Sequence, residues 1–466
     1  MQRNKKRCLA EHVRRFRARF VQSVEAVLGD VIPATLLIRW ITEEIGSYRE
    51  RIYGPFATLV LFIEQVLGTD HSCQDAVARG LSSRTARGQT PCSLNTAAYC
   101  KARLRLPLGL LERLAREVGG RLCERQPAAW RWRGREVKLV DGTTVSMPDT
   151  GANQARFPQS RGQKPGLGFP MARLVAVVSL SVGVVLEWAL DACQGKNTGE
   201  TALLWRLLPH LERGDVVIAD GYYCGYFMIA GLITLGADIV MPQHHLRITD
   251  FRRGQRLGVR DHVVTWVRPK RPDWMEEATY AQIPEMLTMR EVRAGGRTLV
   301  TTPADAGTTS KQAVAELYAM RWHVELDLRA IKTVMQMDVL RGKTPTMVEK
   351  EIAVHLLAYN LVRAVMAQAA SLNNLLPRQL SFKAALQLLN AFEMTLRHGS
   401  PQGLAVRRTV LLAGLGSRRL PHRPHRVEPR AVKRRPKQHW LLTTPRHVMR
   451  ERLLRLQARR MEATLS

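Results

Sequence analysis

The hydrophobic pattern of the chain changes near residue 130. Before that point apolar residues recur at helical spacing, as in EHVRRFRARFVQSVEAVL (11–28) and FATLVLFIEQVL (56–67), and no segment alternates as a strand would. Beyond it, short β-branched runs follow one another with amphipathic segments between them. This change predicts a helical N-terminal region followed by an α/β sheet.

Four short apolar runs predict the strands of that sheet: EVKLVD (136–141), a strand pair at 174–190 turning at Gly183, DVVIAD (215–220) and ADIVMPQ (237–243). EVKLVD ends in Asp141 before a predicted Gly-Thr-Thr turn, and DVVIAD ends in Asp220. The segment 244–300 has a different texture, with short strands and turns that predict a β-rich insertion and a hairpin at Gly295-Gly296.

Residues 317–335 predict one amphipathic helix. On a helical wheel its apolar residues form one core-facing stripe: Leu317, Met320, Val324, Leu328, Ile331 and Met335. Four polar residues follow one shoulder of that stripe: Tyr318, Arg321, Glu325 and Lys332. Side chains at such a border often only snorkel and pair with neighbours.

The positions of Asp141 and Asp220 in the sequence suggest that the polar residues of this helix belong to a metal site. Carboxylates at the ends of adjacent strands can share a divalent cation, and Glu325 on a helix against the sheet would complete a two-metal site. Mg²⁺ suits such a site, because it takes few carboxylates and leaves positions for phosphate and water. Asp149 is a poorer candidate ligand than Asp141, since Pro-Asp-Thr is a turn sequence.

The net positive charge of the chain predicts that its partner is a nucleic acid. The chain of 466 residues carries a net charge of +31. Residues 1–20 hold eight Lys and Arg against one Glu, and residues 401–466 hold seventeen against three. Basic ends of this kind are typical of proteins that bind the phosphate backbone.

The compartment follows from the remaining composition. The seven cysteines form no CxxC pair, which argues against a zinc site or a disulfide framework and favours a reducing cytoplasm. The basic N-terminus lacks a following apolar segment, so we expect no secretory signal. The longest apolar run, at 174–190, is broken at Gly183 and carries Glu187, so we expect no membrane span.

The segment SLNTAAYCKARLRLP (93–107) offers a short basic helix. Ser93 is the predicted N-cap, Pro107 ends the helix, and Arg103 and Arg105 supply positive charge. Such a helix can enter a DNA groove, or it can be an ordinary solvated helix.

The spacing Tyr-x2-Arg-x3-Glu-x6-Lys, met by the four residues from Tyr318 to Lys332, resembles the signature of one branch of bacterial insertion-sequence transposases of the DDE type. Further segments look like that branch across nearly the whole chain: VDGTTVSMPDT (140–150), FPMARLV (169–175), Gly199-Glu200, ADGYYCGYF (219–227), LRGKTPTMVEKEIAVHLLAYNLVR (340–363) and EPRAVKRRPK (428–437). AYCKARLRLP (98–107) is also similar.

The resemblance implies an α/β fold with a ribonuclease-H-like catalytic core, in which Asp141, Asp220 and Glu325 are the catalytic metal ligands. It implies Mg²⁺, with Mn²⁺ as a substitute, and DNA contacts from Arg321, Tyr318 and Lys332. The predicted organisation is a helical DNA-binding region at 1–130, the core at 131–375 with the insertion at about 244–300, and a basic region at 376–466 for dimerisation and DNA contacts.

The implied activity is cut-and-paste transposition: nicking at element ends, a hairpin intermediate, and strand transfer into target DNA. The implied partners are double-stranded DNA, as terminal inverted repeats and target, and a second copy of the chain bound on DNA. The alternatives are a catalytically silent DNA-binding protein derived from a transposase, and a junction-resolving nuclease, which the length and the signature disfavour.

The sequence leaves two assignments undecided: which Trp holds a flipped base, and what Glu200 does. Some relatives have a Trp entering the last strand before the signature helix, where it holds a flipped base, whereas here that strand begins Arg297-Thr298-Leu299. Trp266 or Trp274 is a candidate replacement. Glu200 follows Asn197 and Thr198, and either supplies charge to the first turn of a helix or lies near the metals.

Overall fold

The computed structural model describes residues 27, 30–46, 48, 51–302, 307–397, 401–421 and 441–465. Apart from Val27, the predicted helix at 11–28 lies outside the described residues, as does the basic segment 428–437. The N-terminal part is helical, as predicted. Its helices are α1 (Ala34–Ile45), α2 (Pro55–Leu67), α3 (Cys73–Ala86), α4 (Ala97–Arg105) and α5 (Leu108–Arg125).

A sheet with helices on both faces follows this region. Its strands are β1 (Val137–Ser146), β2 (Met171–Ser179), β3 (Val185–Ala192), β4 (Val216–Ile218), β5 (Asp238–Pro242), β6 (Gln255–Gly258), β7 (Asp261–Val267), β8 (Met286–Ala294) and β9 (Arg297–Thr301). Between them lie α6 (Gly151–Arg156), α7 (Glu200–Leu207), α8 (Tyr226–Thr234) and α9 (Glu277–Gln282). Gly183 at the β2–β3 turn and Gly295 and Gly296 at the β8–β9 hairpin have positive φ, as the predicted turns require.

The strand order is β3-β2-β1-β4-β5-β9-β8-β7-β6. Strands β1, β2 and β3 are antiparallel, and β4 and β5 run parallel to β1. This order, with helices on both faces, is that of a ribonuclease-H-like core, so the predicted fold class is confirmed. The strands of the β-rich segment extend the same sheet, because β9 pairs antiparallel with β5.

The C-terminal half is helical again. It contains α10 (Lys311–Ala319), α11 (Trp322–Arg329), α12 (Pro345–Leu372), α13 (Phe382–Arg397), α14 (Pro401–Ser417) and α15 (Arg446–Leu465). Helix α12 is long and apolar enough to cross a membrane, but 94% of its most apolar stretch is buried inside the protein. It is therefore the central core helix of this half.

Two hydrophobic clusters cover the two faces of the sheet. The first contains Leu139 and Ile218 together with buried residues of α11 and α12. The second contains Val140 and Val217 together with buried residues of α7 and α8. We refer to them as the α11 face and the α7 face. Since side chains alternate along a strand, this division fixes the face to which every neighbouring residue of β1 and β4 points.

Candidate active site

Strand alternation places the first two predicted carboxylates on the same face. Leu139 and Ile218 point to the α11 face, so Asp141 and Asp220, each two residues further on, do the same. Leu139 is directly paired with Ile218 in the parallel ladder between β1 and β4. The carboxylates therefore lie side by side just beyond the last paired residues of two parallel strands.

The predicted end of the first strand is wrong. β1 does not turn after Asp141 but continues through Gly142, Thr143 and Thr144 to Ser146, paired with β2 along its whole length. Two β-branched Thr residues suit a strand, and the partner β2 supplies the hydrogen bonds that a turn would forgo. Only the parallel pairing with β4 ends before Asp141.

Helix α11 packs against β1 and brings the third carboxylate to this face. The guanidinium of Arg321, just before the helix, lies between two acidic groups. Its Nη1 is 3.5 Å from Asp141 Oδ2, and its Nη2 is 2.5 Å from Glu325 Oε1. All three side chains are at least two-thirds buried, with 18%, 18% and 32% of their surface exposed. One cation thus joins the strand carboxylate to the helix carboxylate.

The electrostatics of Asp141 indicate a site that favours positive charge. Burial raises its pKa from 3.8 to about 6, the Gly142 N–H and the Arg321 charge lower it, and the negative charges of Asp220 and Glu325 raise it further. The Asp141 carboxylate is therefore close enough to Asp220 and to Glu325 for their negative charges to act on it. A divalent cation would relieve this repulsion more fully than one guanidinium does.

As they stand, no three acidic, His or Cys side chains in the described part of the chain are close enough together to ligate one ion. At the present site the Arg321 guanidinium lies between Asp141 and Glu325. The residues fit a divalent metal in number, type and face, provided that Arg321 moves towards a bound phosphate. Carboxylates on two strands and one helix could then approach a shared ion.

The predicted single helix at 317–335 is wrong, because the segment is broken twice. After α10 the chain forms a tighter turn, in which Met320 and Arg321 donate their N–H groups to carbonyls three residues back instead of four. After α11 a π-helical turn, Ala330–Val334, carries Lys332. The apolar stripe is otherwise buried as predicted, whereas Met320, at the first break, is 40% exposed. Helical wheels assume a constant period, which neither break keeps.

The other two signature residues differ in their surroundings. Tyr318 is buried, and the guanidinium carbon of Arg297 lies 5.8 Å from the centroid of its ring. Lys332 is half-buried and makes no ion pair with any described residue. Of the signature, Arg321 thus contacts both Asp141 and Glu325, Tyr318 is buried, and Lys332 has no ion-pair partner among the described residues.

Arg103 and Arg105 point in different directions from α4. Arg103 Nη2 donates to Cys73 Sγ at 3.1 Å, and its guanidinium lies over the rings of Phe62 and Tyr99. Arg105 is exposed and lines a hollow of about 330 Å³. The predicted N-cap is also displaced, since the helix begins after Thr96 and the Ser93 hydroxyl instead accepts from the Asn95 N–H.

Sequence reasoning left the position of Glu200 open, and the structure places it across the sheet from Asp141. Gly142 points to the α7 face, where a Cβ atom at this position would lie 2.5 Å from Glu200 Cδ. Tyr223 donates its hydroxyl proton to Glu200 Oε2 at 3.3 Å. Glu200 is the first residue of α7, so it meets the first-turn expectation while packing directly on the strand that carries Asp141.

Sequence reasoning missed a buried network beneath Glu325. Asp327, two residues further on, is 4% exposed and receives two hydrogen bonds of 2.6 Å from Arg378 and one of 2.9 Å from the Tyr359 hydroxyl. Arg378 also donates to the carbonyls of Ser179 and Leu180. The signature helix is thereby tied to the β2–β3 hairpin. Only a charged residue on the buried side of the wheel could have signalled this.

The fold and the site together define a class of protein, and comparison with known proteins agrees. Residues 132–361 match the family model described as Transposase DDE domain. The chain is 31% identical over 351 residues to the transposase InsG of insertion sequence element IS4 from Escherichia coli K12, covering 70% of this chain and 75% of that protein. The chain belongs to the DDE transposases of bacterial insertion sequences, which are metal-dependent enzymes that cleave and join DNA.

Two further similarities are weaker, one because it covers a short stretch and the other because its TM-score is low. The transposase of insertion sequence element IS421 from Escherichia coli is 32% identical over 71 residues, or 15% of this chain and 19% of that one. The cryo-EM structure of a piggyBac transposase synaptic complex with hairpin DNA aligns with 85% of this chain and 86% of its own, with a TM-score of 0.43 and 9% identity. At that level the structural similarity supports no conclusion about this chain.

Proposed function

We propose that this chain moves an insertion sequence by cut-and-paste transposition, with Asp141, Asp220 and Glu325 as its catalytic metal ligands. The observation that supports the proposal is that Asp141 and Asp220, on adjacent strands, and Glu325, on a helix, lie towards one face, where burial, with a smaller effect from the charges of Asp220 and Glu325, raises the pKa of Asp141 to about 6. A site that gathers carboxylates in this way favours the binding of divalent cations, whose positive charge offsets the repulsion between the carboxylates.

Mg²⁺ is the proposed metal, with Mn²⁺ as a substitute, and Asp141, Asp220 and Glu325 would hold two such ions. When bound, the ions would activate the attacking water or 3′-hydroxyl and stabilise the leaving oxygen. The residues of the chain would do the positioning. Arg321 would release Glu325 and Asp141 and turn to a phosphodiester oxygen, for which a guanidinium has two parallel donors. Lys332 would add a second positive charge to the same strand.

The proposed DNA contacts outside the site are revised by the positions of the side chains. Arg105 remains a candidate, because it is exposed beside Arg51 in the hollow at the end of α4. We do not extend the proposal to Arg103, because its guanidinium donates to Gln65 and Cys73 and lies over the rings of Phe62 and Tyr99. For Tyr318 we propose support of Arg321 from behind, because its ring is buried.

The proposed route is nicking at the terminal inverted repeats, hairpin formation, hairpin opening and strand transfer, carried out by two copies of the chain on DNA. The enzyme would act in the bacterial cytoplasm, on the DNA of the nucleoid. The hairpin is the step that needs its own readout, because no Trp enters β9.

The test uses end-labelled fragments of the DNA that flanks the gene, with and without Mg²⁺. Wild type should cut them only with the metal, and hairpin products should resist strand separation on a denaturing gel. Glu325→Gln should abolish cutting but bind the fragments. Glu316→Gln is the matched control, because Glu316 is an exposed residue of neighbouring α10.

The outcomes separate the alternatives. Cutting retained by Glu325→Gln would remove this residue from the metal site. Metal-dependent products whose strands separate normally would support the three carboxylates as metal ligands and would exclude the hairpin intermediate. Wild type that binds intact ends but never cuts them would instead favour a catalytically silent DNA-binding protein.

A further inference from the structure

Glu200 lies behind the carboxylate site and contacts both segments that carry its aspartates. Its Oε1 would lie 2.5 Å from a Cβ atom added at Gly142, the residue that follows Asp141 on β1. Its Oε2 accepts a hydrogen bond of 3.3 Å from the hydroxyl of Tyr223, three residues beyond Asp220. One carboxylate on the α7 face therefore connects β1 to the turn after β4.

The contact of Glu200 with β1 is close because Gly142 has no side chain. Gly142 donates its N–H to Asp141 Oδ1 at 2.8 Å, so it orients the carboxylate on the opposite face. Glu200 packs against the back of the same residue, where strand alternation would otherwise point a side chain towards the α7 face. Glu200 therefore limits any movement of Asp141 away from α11.

The turn after β4 holds Asp220 through two hydrogen bonds. Tyr222 donates its backbone N–H to Asp220 Oδ1 at 2.8 Å, and Tyr223 donates its own to the Asp220 carbonyl at 3.2 Å. The Tyr223 side chain is fully buried, so its ring cannot move without moving this turn. The hydrogen bond from the Tyr223 hydroxyl to Glu200 therefore fixes the turn and, through it, the Asp220 carboxylate.

The Tyr223 hydroxyl keeps its proton and remains a donor. Burial raises its pKa well above the usual range, and the negative charges of Glu200, Asp141 and Asp220 raise it further. The Tyr223 side chain is thus close enough to both aspartates to be affected by their charges.

The position of Glu200 is itself held by β2. Glu200 is the first residue of α7, and Arg173 of β2 donates to the Thr198 carbonyl, just before the helix, at 2.8 Å. Three leucines of the same helix are buried in the cluster of the α7 face: Leu203, Leu204 and Leu207. First-turn charge accounts for an acidic residue at this position, but not for the contacts of its two oxygens with β1 and Tyr223.

We propose that Glu200 is a positioning residue, which sets the separation of Asp141 and Asp220 so that both can hold the same metal ions. The inference rests on the proposed function, because this separation matters to DNA cleavage only if the two aspartates are metal ligands. Mg²⁺ demands a nearly ideal octahedral geometry, with oxygens at about 2.0–2.1 Å. Removing a residue that orients metal ligands typically lowers metal affinity by about 10- to 100-fold.

The test measures Mn²⁺ binding directly, from the electron paramagnetic resonance signal of the free ion. The sample is the full chain bound to pre-cut element ends without target DNA, so that no cleavage substrate is present. The same complex with Asp220→Asn gives the binding due to DNA and to the rest of the protein. Glu200→Ala should weaken the remaining Mn²⁺ sites by about 10- to 100-fold, and should raise the Mg²⁺ concentration for half-maximal cutting of uncut ends by the same factor.

Glu200→Gln separates positioning from charge. It keeps the length of the side chain and an oxygen for the Tyr223 hydroxyl, so it should bind Mn²⁺ far more tightly than Glu200→Ala does. Loss of a first-turn charge alone would affect the two variants equally. Tyr223→Phe removes only the hydrogen bond to the turn, so it should cost less than Glu200→Ala and add nothing to it in the double variant.

Two matched controls make the same changes away from the carboxylates. Glu277→Ala removes an exposed glutamate that is likewise the first residue of its helix, α9. Tyr226→Phe removes a hydroxyl that donates to the Pro284 carbonyl at 2.8 Å. Both should bind Mn²⁺ as wild type does. Every variant should bind element ends without metal, which shows that it is folded.

The proposal is overturned if Glu200→Ala binds Mn²⁺ as tightly as wild type, or if Glu200→Gln loses as much as Glu200→Ala. If Glu200→Ala does not fold, Tyr223→Phe decides, and Mn²⁺ binding unchanged in that variant would refute the positioning role. Wild type that binds no more Mn²⁺ than Asp220→Asn would count against the metal site and hence against the proposed function. Mn²⁺ sites that are present in wild type and unchanged in Glu200→Ala would remove the positioning role alone.

Discussion

At the residue scale, the close packing of Glu200 against Gly142 leads to a prediction about stability. A Cβ atom added there would lie 2.5 Å from Glu200 Cδ and 2.9 Å from its Cγ. The end of the Glu200 side chain would have to shift, so Gly142→Ala should lower the free energy of unfolding by about 1 kcal/mol, the lower end of the cost of overpacking. Glu200→Ala in the same chain removes the collision and should recover most of the loss.

Urea unfolding of the three variants measures this prediction. Gly151→Ala is the control, because an added Cβ at Gly151 meets no atom within 4 Å. If Gly142→Ala were as stable as Gly151→Ala, the close packing of Glu200 on β1 would be refuted.

A second residue predicts a pH dependence of stability. Burial lowers the pKa of His355 to about 4, and one ring nitrogen is 2.8 Å from the Glu351 carbonyl. The unfolded chain protonates this ring below about pH 6.5 while the folded chain does not, so its contribution falls as the pH drops from 6.5 towards 4. Between pH 6.5 and 5 the loss should reach about 2 kcal/mol.

The measurement compares wild type with His355→Gln in urea at several pH values. The difference between their free energies of unfolding should shift by that amount in favour of the variant at pH 5. Asp141, whose raised pKa acts in the opposite direction, is common to both chains and cancels. A difference that stayed constant with pH would contradict a neutral, buried His355.

At the scale of elements, β1 and the signature helix show how far local sequence decides structure. The alternation of apolar residues was enough to predict both strands that carry carboxylates. Where β1 ends was not predictable, since Gly142 to Ser146 are strand only through pairing with β2 at 171–175. The two breaks around α11 likewise depend on packing against β1 and on contacts distant in sequence, which a wheel does not contain.

One of those distant contacts leads to a prediction. Arg378→Met should leave Asp327 buried and without its charged partner, at a cost of about 3–5 kcal/mol of unfolding free energy. Asp327→Asn together with Arg378→Met should cost less than the single change, because the buried charge is then gone and the amide can still accept from the Tyr359 hydroxyl.

Chemical denaturation of the single and double variants decides between these outcomes. Arg329→Met, which removes an exposed cation from the same helix, should change stability by less than about 1 kcal/mol. Equal losses in the single and double variants would show that the ion pair does not hold α11 in place.

At the scale of the molecule, the alternation of strands and helices predicted an α/β sheet. Its ribonuclease-H-like core was implied by the resemblance of the signature and its neighbouring segments, and the strand order itself was not predicted. That the β-rich segment continues the same sheet through β9 and β5 could not be predicted, because edge pairing is non-local and has no local signature. The same limit applies to the cavity of about 590 Å³ between residues 197–206 and residues 274–279, whose walls are about 80 residues apart in sequence.

Net charge is the whole-molecule property with the most direct consequence. With +31 on the chain, binding to element ends should release many counterions, and the logarithm of affinity should fall linearly with the logarithm of salt concentration, by about 0.9 per phosphate contacted. Replacing Lys433, Arg434, Arg435 and Lys437 together by Ala should reduce the magnitude of this slope by up to about four.

The ratio of affinities for element ends and unrelated DNA should stay unchanged in this variant, because phosphate contacts carry no sequence information. Fluorescence titrations from about 50 to 200 mM salt measure both quantities. An unchanged slope would mean that this basic segment does not touch DNA, and a lost preference for element ends would mean that it reads sequence.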